Sequence, residues 1–219
     1  MRGLVRLRRI RYMGRTSSPW LSGDGFASLC DISIDRPIAR MSAWQLRKMR
    51  DATTVFCRSE HLEELLAEGS RLSVRALLVG NSDLDFHAEP NFLPPHLRIL
   101  LLQNSFVSDN RNIYTLPIGI ENLALGQNGR TKLFVDEEGI KRNKKVLVGP
   151  FSPTHPMRSG LCAAYRSVEG PWFVVESRLP ADELRRLMME YGWVLCPRGN
   201  EVDTHRVWEA LYRGATPIV

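Results

Sequence analysis

The chain has 219 residues, of which 43% are hydrophobic and 25% are charged, an ordinary composition for a globular protein. This length allows one large or two small domains and a core that needs neither disulfides nor metals. No run of 18 or more apolar residues occurs, and the basic start lacks the apolar segment of a signal peptide, so we expect a cytoplasmic protein.

The net charge of +6 is concentrated at the start of the chain, because six arginines fall within the first fifteen residues. They are Arg2, Arg6, Arg8, Arg9, Arg11 and Arg15. The remainder is close to neutral, which weakens the case for a nucleic-acid-binding protein. We expect any peripheral contact with a membrane surface to be made by the basic segment 1–20. The four cysteines are far apart and form no CxxC pair, which argues against a zinc site and for free thiols.

The first half of the chain alternates apolar runs with one amphipathic helix. Ser, Gly, Asp and Pro dominate residues 16–37, which predicts a loop, and 38–51 has a mixed helical pattern. The helix covers 60–68 and ends at Gly69. Strands are predicted at 53–57, 74–79, 97–102 and 113–118.

The second half resumes this alternation after a polar stretch over 121–144. Strands are predicted at 146–148, 172–175, 193–196 and 216–219, and helices at 156–168, 180–191 and 203–212. Continuous apolar strands separated by helices indicate α/β units with parallel sheets covered on both faces. We therefore expect a basic segment (1–20) and two Rossmann-like units (21–120 and 121–219), the second incomplete at its C-terminal edge.

Residues 194–219 read as strand, polar loop, helix, turn and strand. Gly199 and Asn200 allow unusual backbone angles just past the strand, and Asp203 or Thr204 can cap the helix. Free N–H groups at a helix start favour an anion, and ligands of open α/β sheets bind at the carboxyl ends of strands. The segment therefore predicts an anion-binding site.

Three further side chains would converge on that site, namely Arg198, His205 and Arg206. Cationic groups at this position suit a diphosphate. The alternative is that Arg198 pairs with Asp203 or Glu201 and that His205 only packs.

The string CPRGNEVDTHRVWEALYRGATPIV resembles the C-terminal donor-domain signature of exostosin-like glycosyltransferases. It also resembles the pattern E-A-x-x-x-G-x-P-V of transferases with the two-domain GT-B architecture. The resemblance implies that Arg198 and Arg206 contact the diphosphate of a nucleotide sugar and that Glu209 contacts the donor ribose or sugar. The alternative for Glu209 is an ordinary exposed position on a helix.

Two upstream segments extend the resemblance. The string LPIGIEN over 116–122 is similar to the turn with which such proteins pass from the acceptor domain to the donor domain. The loop after the strand at 146–148 commonly reaches the diphosphate in these families, which makes Ser152, His155 and Arg158 candidates. The alternative is a proline-stiffened loop in which Arg158 opens a helix.

In the first unit, the string GNSDLDFH over 80–87 follows an apolar strand, and similar turns occur in bacterial exostosin-like proteins. The resemblance would place Asp83 near an interdomain cleft, where a carboxylate could take a proton from an acceptor hydroxyl. The alternative is that these residues only close a turn. Asp83 and Asp85 also form a D-x-D pair, but GT-B enzymes usually need no metal, so no metal site is predicted here.

The sequence thus predicts an enzyme that moves a sugar from a nucleotide diphosphate sugar to a hydroxyl of a glycan or another acceptor. No cofactor is implied. Two alternatives stay open: a non-catalytic nucleotide-binding fragment, and a basic nucleic-acid-binding module.

Overall fold

A computed structural model describes residues 20–87, 90, 93–107, 112–124, 129–130, 134 and 140–219. The chain divides into two compact units. Unit 1 comprises Gly23–Leu116, and unit 2 comprises Pro117–Val219 together with Trp20–Ser22. The arginines of the basic start, and therefore the predicted membrane contact, lie outside the described residues. Within the described part of the chain, no helix is long and apolar enough to cross a membrane.

Unit 1 contains one parallel sheet of five strands, ordered β1-β2-β3-β4-β5. The strands are β1 (Ile32–Ile34), β2 (Thr54–Arg58), β3 (Ala76–Gly80), β4 (Ile99–Leu102) and β5 (Ile113–Thr115). The helices are α1 (Gly23–Leu29), α2 (Ala43–Asp51) and α3 (Leu62–Ala67). Each strand lies beside its predecessor, so right-handed crossovers stay on one face of this sheet.

The core of unit 1 follows from this topology. Buried strand residues such as Val55, Leu77 and Leu100 pack with α2 and α3 on the crossover face. The helix α1 precedes the first strand and packs on the opposite face, where Phe56 joins Leu116. Both faces of the sheet therefore carry helices, as the apolar strand pattern predicts.

The loop predicted over 16–37 is wrong for residues 23–34, which contain α1 and β1. The short strand β1 is fixed by contacts distant in sequence. The Asp31 carboxylate accepts the N–H groups of Thr53 and Thr54, each at 2.9 Å, and the Asp31 N–H donates to the Thr54 hydroxyl at 2.9 Å. The local composition, rich in Ser, Gly and Asp, predicts a loop, because it contains no sign of these hydrogen bonds to residues distant in the sequence.

Unit 2 contains a parallel sheet of four strands, ordered β7-β6-β8-β9. The strands are β6 (Asn143–Val148), β7 (Trp172–Val174), β8 (Tyr191–Leu195) and β9 (Thr216–Ile218). The helices are α4 (Leu161–Arg166), α5 (Ala181–Glu190) and α6 (His205–Tyr212). The predicted parallel pairing of these four strands is confirmed.

The single helix predicted over 156–168 is wrong, because the structure has a 3-10 turn at Pro156–Arg158 followed by the separate helix α4. Between them Gly160 has a φ of +84°, in the left-handed region that interrupts a right-handed helix. The core of unit 2 forms where Leu147 and Val194 pack against Met188 of α5 and Ala210 of α6.

The strand order of unit 2 reverses between β6 and β8. From β6 the chain first moves outward to β7 and then returns past β6 to β8. The crossovers on the two sides of β6 therefore lie on opposite faces, which opens a crevice at the carboxyl ends of β6 and β8. Ligands of open α/β sheets bind at such a switch point.

Candidate functional site

The loop after β6 and the loop after β8 are joined by the side chain of Arg158. Its Nε donates to the carbonyl oxygen of Arg198 at 2.8 Å, and its Nη2 donates to that of Pro197 at 2.9 Å. Its Nη1 donates to the Thr154 hydroxyl at 2.9 Å. Gly199 permits this approach, since a Cβ there would lie 3.0 Å from Arg158 Nη2. A guanidinium is thus fixed across the switch point by neutral acceptors.

Arg206, in the first turn of α6, spans the same crevice from the other side. Its Nη2 lies 3.4 Å from the carbonyl oxygen of Pro150, in the loop after β6. Its Nε lies 3.7 Å from the Glu209 carboxylate, and its buried Nη1 has no hydrogen-bond partner in the described part of the chain. Burial lowers the pKa of the Arg158 guanidinium, and the positive charge of Arg206 lowers it further.

The site carries more positive than negative charge. Among the described residues, no carboxylate lies within ion-pair distance of Arg158 or Arg198. The Nε of Arg198 is also buried without a hydrogen-bond partner there. The predicted alternative, in which Arg198 pairs with Asp203 or Glu201, is therefore not observed.

Glu209 is largely buried beside Arg206, with 12% of its side chain exposed. The alternative of an ordinary exposed helix position is therefore wrong. Burial raises the pKa of the Glu209 carboxyl, whereas the charges of Arg206 and His205 lower it. The net direction is upward, so desolvation outweighs the ion pair.

Asp203 and His205 bind the backbone at the start of unit 2. The Asp203 carboxylate accepts the N–H of Ile118 at 2.9 Å and the indole N–H of Trp208 at 2.9 Å. The Nδ1 of His205 lies 2.8 Å from the carbonyl oxygen of Gly119 and must donate, because a carbonyl only accepts. His205 can therefore offer only its Nε2 to a ligand.

Neither predicted capping residue closes the N-terminus of α6. Asp203 is engaged with Ile118 and Trp208, and Thr204 occupies the N-cap position without a side-chain capping bond. The first-turn N–H groups of α6 therefore receive no cap from the N-cap side chain.

Ser152 and His155 have local roles in the loop after β6. The carbonyl oxygen of Ser152 lies 3.4 Å from Arg158 Nη1, while the serine residue itself is exposed. The Nδ1 of His155 accepts the N–H of Met157 at 3.2 Å and so caps the 3-10 turn that carries Arg158. These contacts place both residues as supports of Arg158, and their direct contact with a donor stays a prediction.

In unit 1, Asp83 lies three residues beyond the end of β3 and is exposed. The turn before it is held by two amides, because Gln103 Oε1 accepts the N–H of Asn81 at 3.0 Å and Asn104 Nδ2 donates to the carbonyl of Ser82 at 3.2 Å. Asn81 and Ser82 therefore close a turn, as the alternative interpretation of this segment predicts. The role of Asp83 as a base stays a prediction.

Two groups of this site were not predicted from the sequence. Thr154 holds Arg158, and the carbonyl of Pro150 faces Arg206. A threonine in a proline-rich loop gives only a weak signal for the first, and a backbone carbonyl gives none for the second.

No protein-family model matches the chain, and a search of curated proteins gave no match either.

Proposed function

We propose that unit 2 binds the diphosphate of a nucleotide sugar and that the chain transfers this sugar to an acceptor hydroxyl, as exostosin-like glycosyltransferases do. One observation carries the proposal. Arg158 and Arg206 meet across the switch point of unit 2, and the groups that hold Arg158 are carbonyl and hydroxyl oxygens without charge.

This form of anchoring favours a charged ligand. A carbonyl oxygen fixes a guanidinium in place without cancelling its charge, whereas a carboxylate would cancel it. Arg158 and Arg206 lie close together at a half-buried site and repel each other, and Glu209 offsets only one of the two charges. A dianion between the arginines would relieve that repulsion. Guanidinium groups also match the geometry of phosphate oxygens through paired hydrogen bonds.

Glu209 favours a ligand that also bears hydroxyl groups. An ionised carboxylate repels phosphate but accepts hydrogen bonds from hydroxyls. Its position beside Arg206 therefore separates a hydroxyl-bearing part of the ligand from a phosphate-bearing part. A nucleotide sugar has both parts, and the resemblance assigns the ribose or sugar to Glu209.

The same arginines would assist the chemical step. When the bond between the sugar and the diphosphate breaks, negative charge grows on the leaving phosphate, and fixed cations there stabilise the transition state. The acceptor hydroxyl must lose a proton during transfer. We assign that role to Asp83 on the basis of the sequence resemblance.

Binding of UDP, GDP, ADP and CDP to the full chain, measured by isothermal titration calorimetry, tests the proposal. We expect at least one of them to bind. Arg158→Ala and Arg206→Ala should each weaken that binding about tenfold or more, the loss expected for a charged hydrogen bond. Arg186→Ala is the matched control, because this arginine is exposed on α5 and should leave the affinity unchanged.

Failure of all four diphosphates to bind, or equal affinity of the wild type and both site variants, would contradict the proposal. The transferase activity has its own test in the release of the diphosphate from the matching sugar donor. Binding without such release across a panel of glycan acceptors would support the non-catalytic nucleotide-binding alternative instead.

A further inference from the structure

Thr204 has a side chain that does not serve the helix it precedes. It occupies the N-cap position of α6 with extended backbone angles (φ −130°, ψ 148°). A threonine there normally accepts an N–H from the first turn through its hydroxyl oxygen. Thr204 makes no such bond, although it is only 9% exposed and its Oγ1 is buried without a hydrogen-bond partner in the described part of the chain.

A buried hydroxyl without a partner destabilises a folded protein, because the hydroxyl has lost its bonds to water. A valine of the same shape would avoid this cost. Close by in sequence, Nη1 of Arg206 is also buried without a partner. The Thr204 hydroxyl and Arg206 Nη1 thus both lie at the uncapped N-terminus of α6 without a hydrogen-bond partner, and both can donate to an anion.

We propose that the Thr204 hydroxyl donates a hydrogen bond to the phosphate of the bound diphosphate that lies farther from the ribose. This inference rests on the proposed function. It adds a residue and an order of contacts along α6: hydroxyl groups at Glu209, the nearer phosphate at Arg206 and the farther phosphate at Thr204.

The order follows from helix geometry. Thr204 precedes Glu209 by five residues, which is roughly 7.5 Å along a helix axis, and Arg206 lies between them. A ligand with its ribose at Glu209 therefore extends its phosphates toward the open end of α6. There the helix dipole favours the phosphate with the greatest charge, and exclusion of water strengthens its bond to a hydroxyl.

The test compares Thr204→Val with the wild type, using a nucleoside diphosphate that binds and the corresponding monophosphate. Thr204→Val should weaken diphosphate binding about tenfold, the loss expected for a hydrogen bond to a charged group. It should leave monophosphate binding unchanged, because a monophosphate lacks the farther phosphate. Without ligand, the variant should melt at the same temperature as the wild type or a higher one.

Two further variants sharpen the comparison. Thr204→Ser keeps the hydroxyl and should retain diphosphate affinity. Thr115→Val makes the same chemical change at an exposed position of β5 in unit 1 and should alter neither affinity.

Equal diphosphate affinity of Thr204→Val and the wild type would overturn the role of Thr204 while leaving the proposed function intact. A parallel loss of monophosphate and diphosphate binding with a lower melting temperature would also overturn it, since that result shows a purely structural role. Absence of diphosphate binding to the wild type would overturn the proposed function and this inference together.

Discussion

Glu209 is the residue at which stability and ligand binding conflict most directly. Its carboxylate is buried beside Arg206, and burial is the largest influence on its pKa. The raised pKa means that the folded protein binds this proton more tightly than the unfolded chain does. The stability of the folded state therefore falls as the pH rises above the ordinary carboxyl pKa of 4.5 toward the higher folded value. At pH values above the folded pKa of Glu209, the carboxylate is charged in the folded state, and its burial lowers the stability by a constant amount.

Glu209→Gln should for this reason melt at a higher temperature than the wild type near neutral pH, in the absence of ligand. The difference should shrink as the pH falls toward about 4.5, because the raised pKa of Glu209 lets the folded wild type take up this proton before the unfolded chain does. Melting curves across this pH range measure the effect. Glu169→Gln, at an exposed loop position, serves as the control. A Glu209→Gln variant less stable than the wild type at neutral pH would show that the ion pair outweighs desolvation.

At the scale of elements, Arg142 joins the ends of two helices in unit 2. Its Nη1 donates to the carbonyl oxygens of Met188 and Tyr191, at 3.2 and 3.3 Å, where α5 ends. Its Nη2 donates to the carbonyl oxygen of Arg213, just after α6. A cation at helix C-termini satisfies carbonyls that lack a partner in the helix and matches the dipole.

Arg142→Met should lower the free energy of unfolding by about 1.5–3 kcal/mol, the range for a hydrogen bond to a charged group. Urea denaturation measures it. Lys144→Met is the matched control, because Lys144 is exposed two residues away and a surface change of this kind shifts stability by about 0.5 kcal/mol or less. Equal unfolding midpoints for the two variants would show that the Arg142 bonds do not stabilise unit 2.

The sheets were predictable because their strands are continuous apolar runs, and the four strands of unit 2 lie close to the expected positions. The helix α1 and the strand β1 could not be predicted from the sequence. The strand β1 depends on hydrogen bonds between Asp31 and residues 22 and 23 positions away. The break at Gly160 was also missed, because a glycine within a helical pattern does not reveal its φ.

The candidate site divides in the same way. Arg206 and Glu209 are three residues apart on one helix, so their pairing follows from helix geometry. The bonds of Arg158 to Arg198 and of Arg206 to Pro150 join residues 40 and 56 positions apart. Only the strand order brings those loops together, and a pattern of apolar runs does not contain that order.

At the scale of the whole molecule, the two units differ in topology and in the charge at their strand ends. Unit 1 has its strands in sequence order, and Arg58 at the end of β2 is neutralised by Glu60 at 3.1 Å. Unit 2 has a switch point, where carbonyl and hydroxyl oxygens hold Arg158 while Arg206 lies 3.7 Å from the Glu209 carboxylate, so that one of the two positive charges is not offset there. We therefore expect a diphosphate to bind to unit 2 through its own residues.

Hydrogen–deuterium exchange of the full chain, with and without a saturating nucleoside diphosphate, tests this central claim most directly. Bound ligand should slow the exchange of backbone amides in the two loops of the switch point and at the start of α6, that is, in residues 149–158 and 197–209. The strand ends of unit 1 should exchange as before. Protection confined to unit 1, or none in these two segments with ligand bound, would contradict the account.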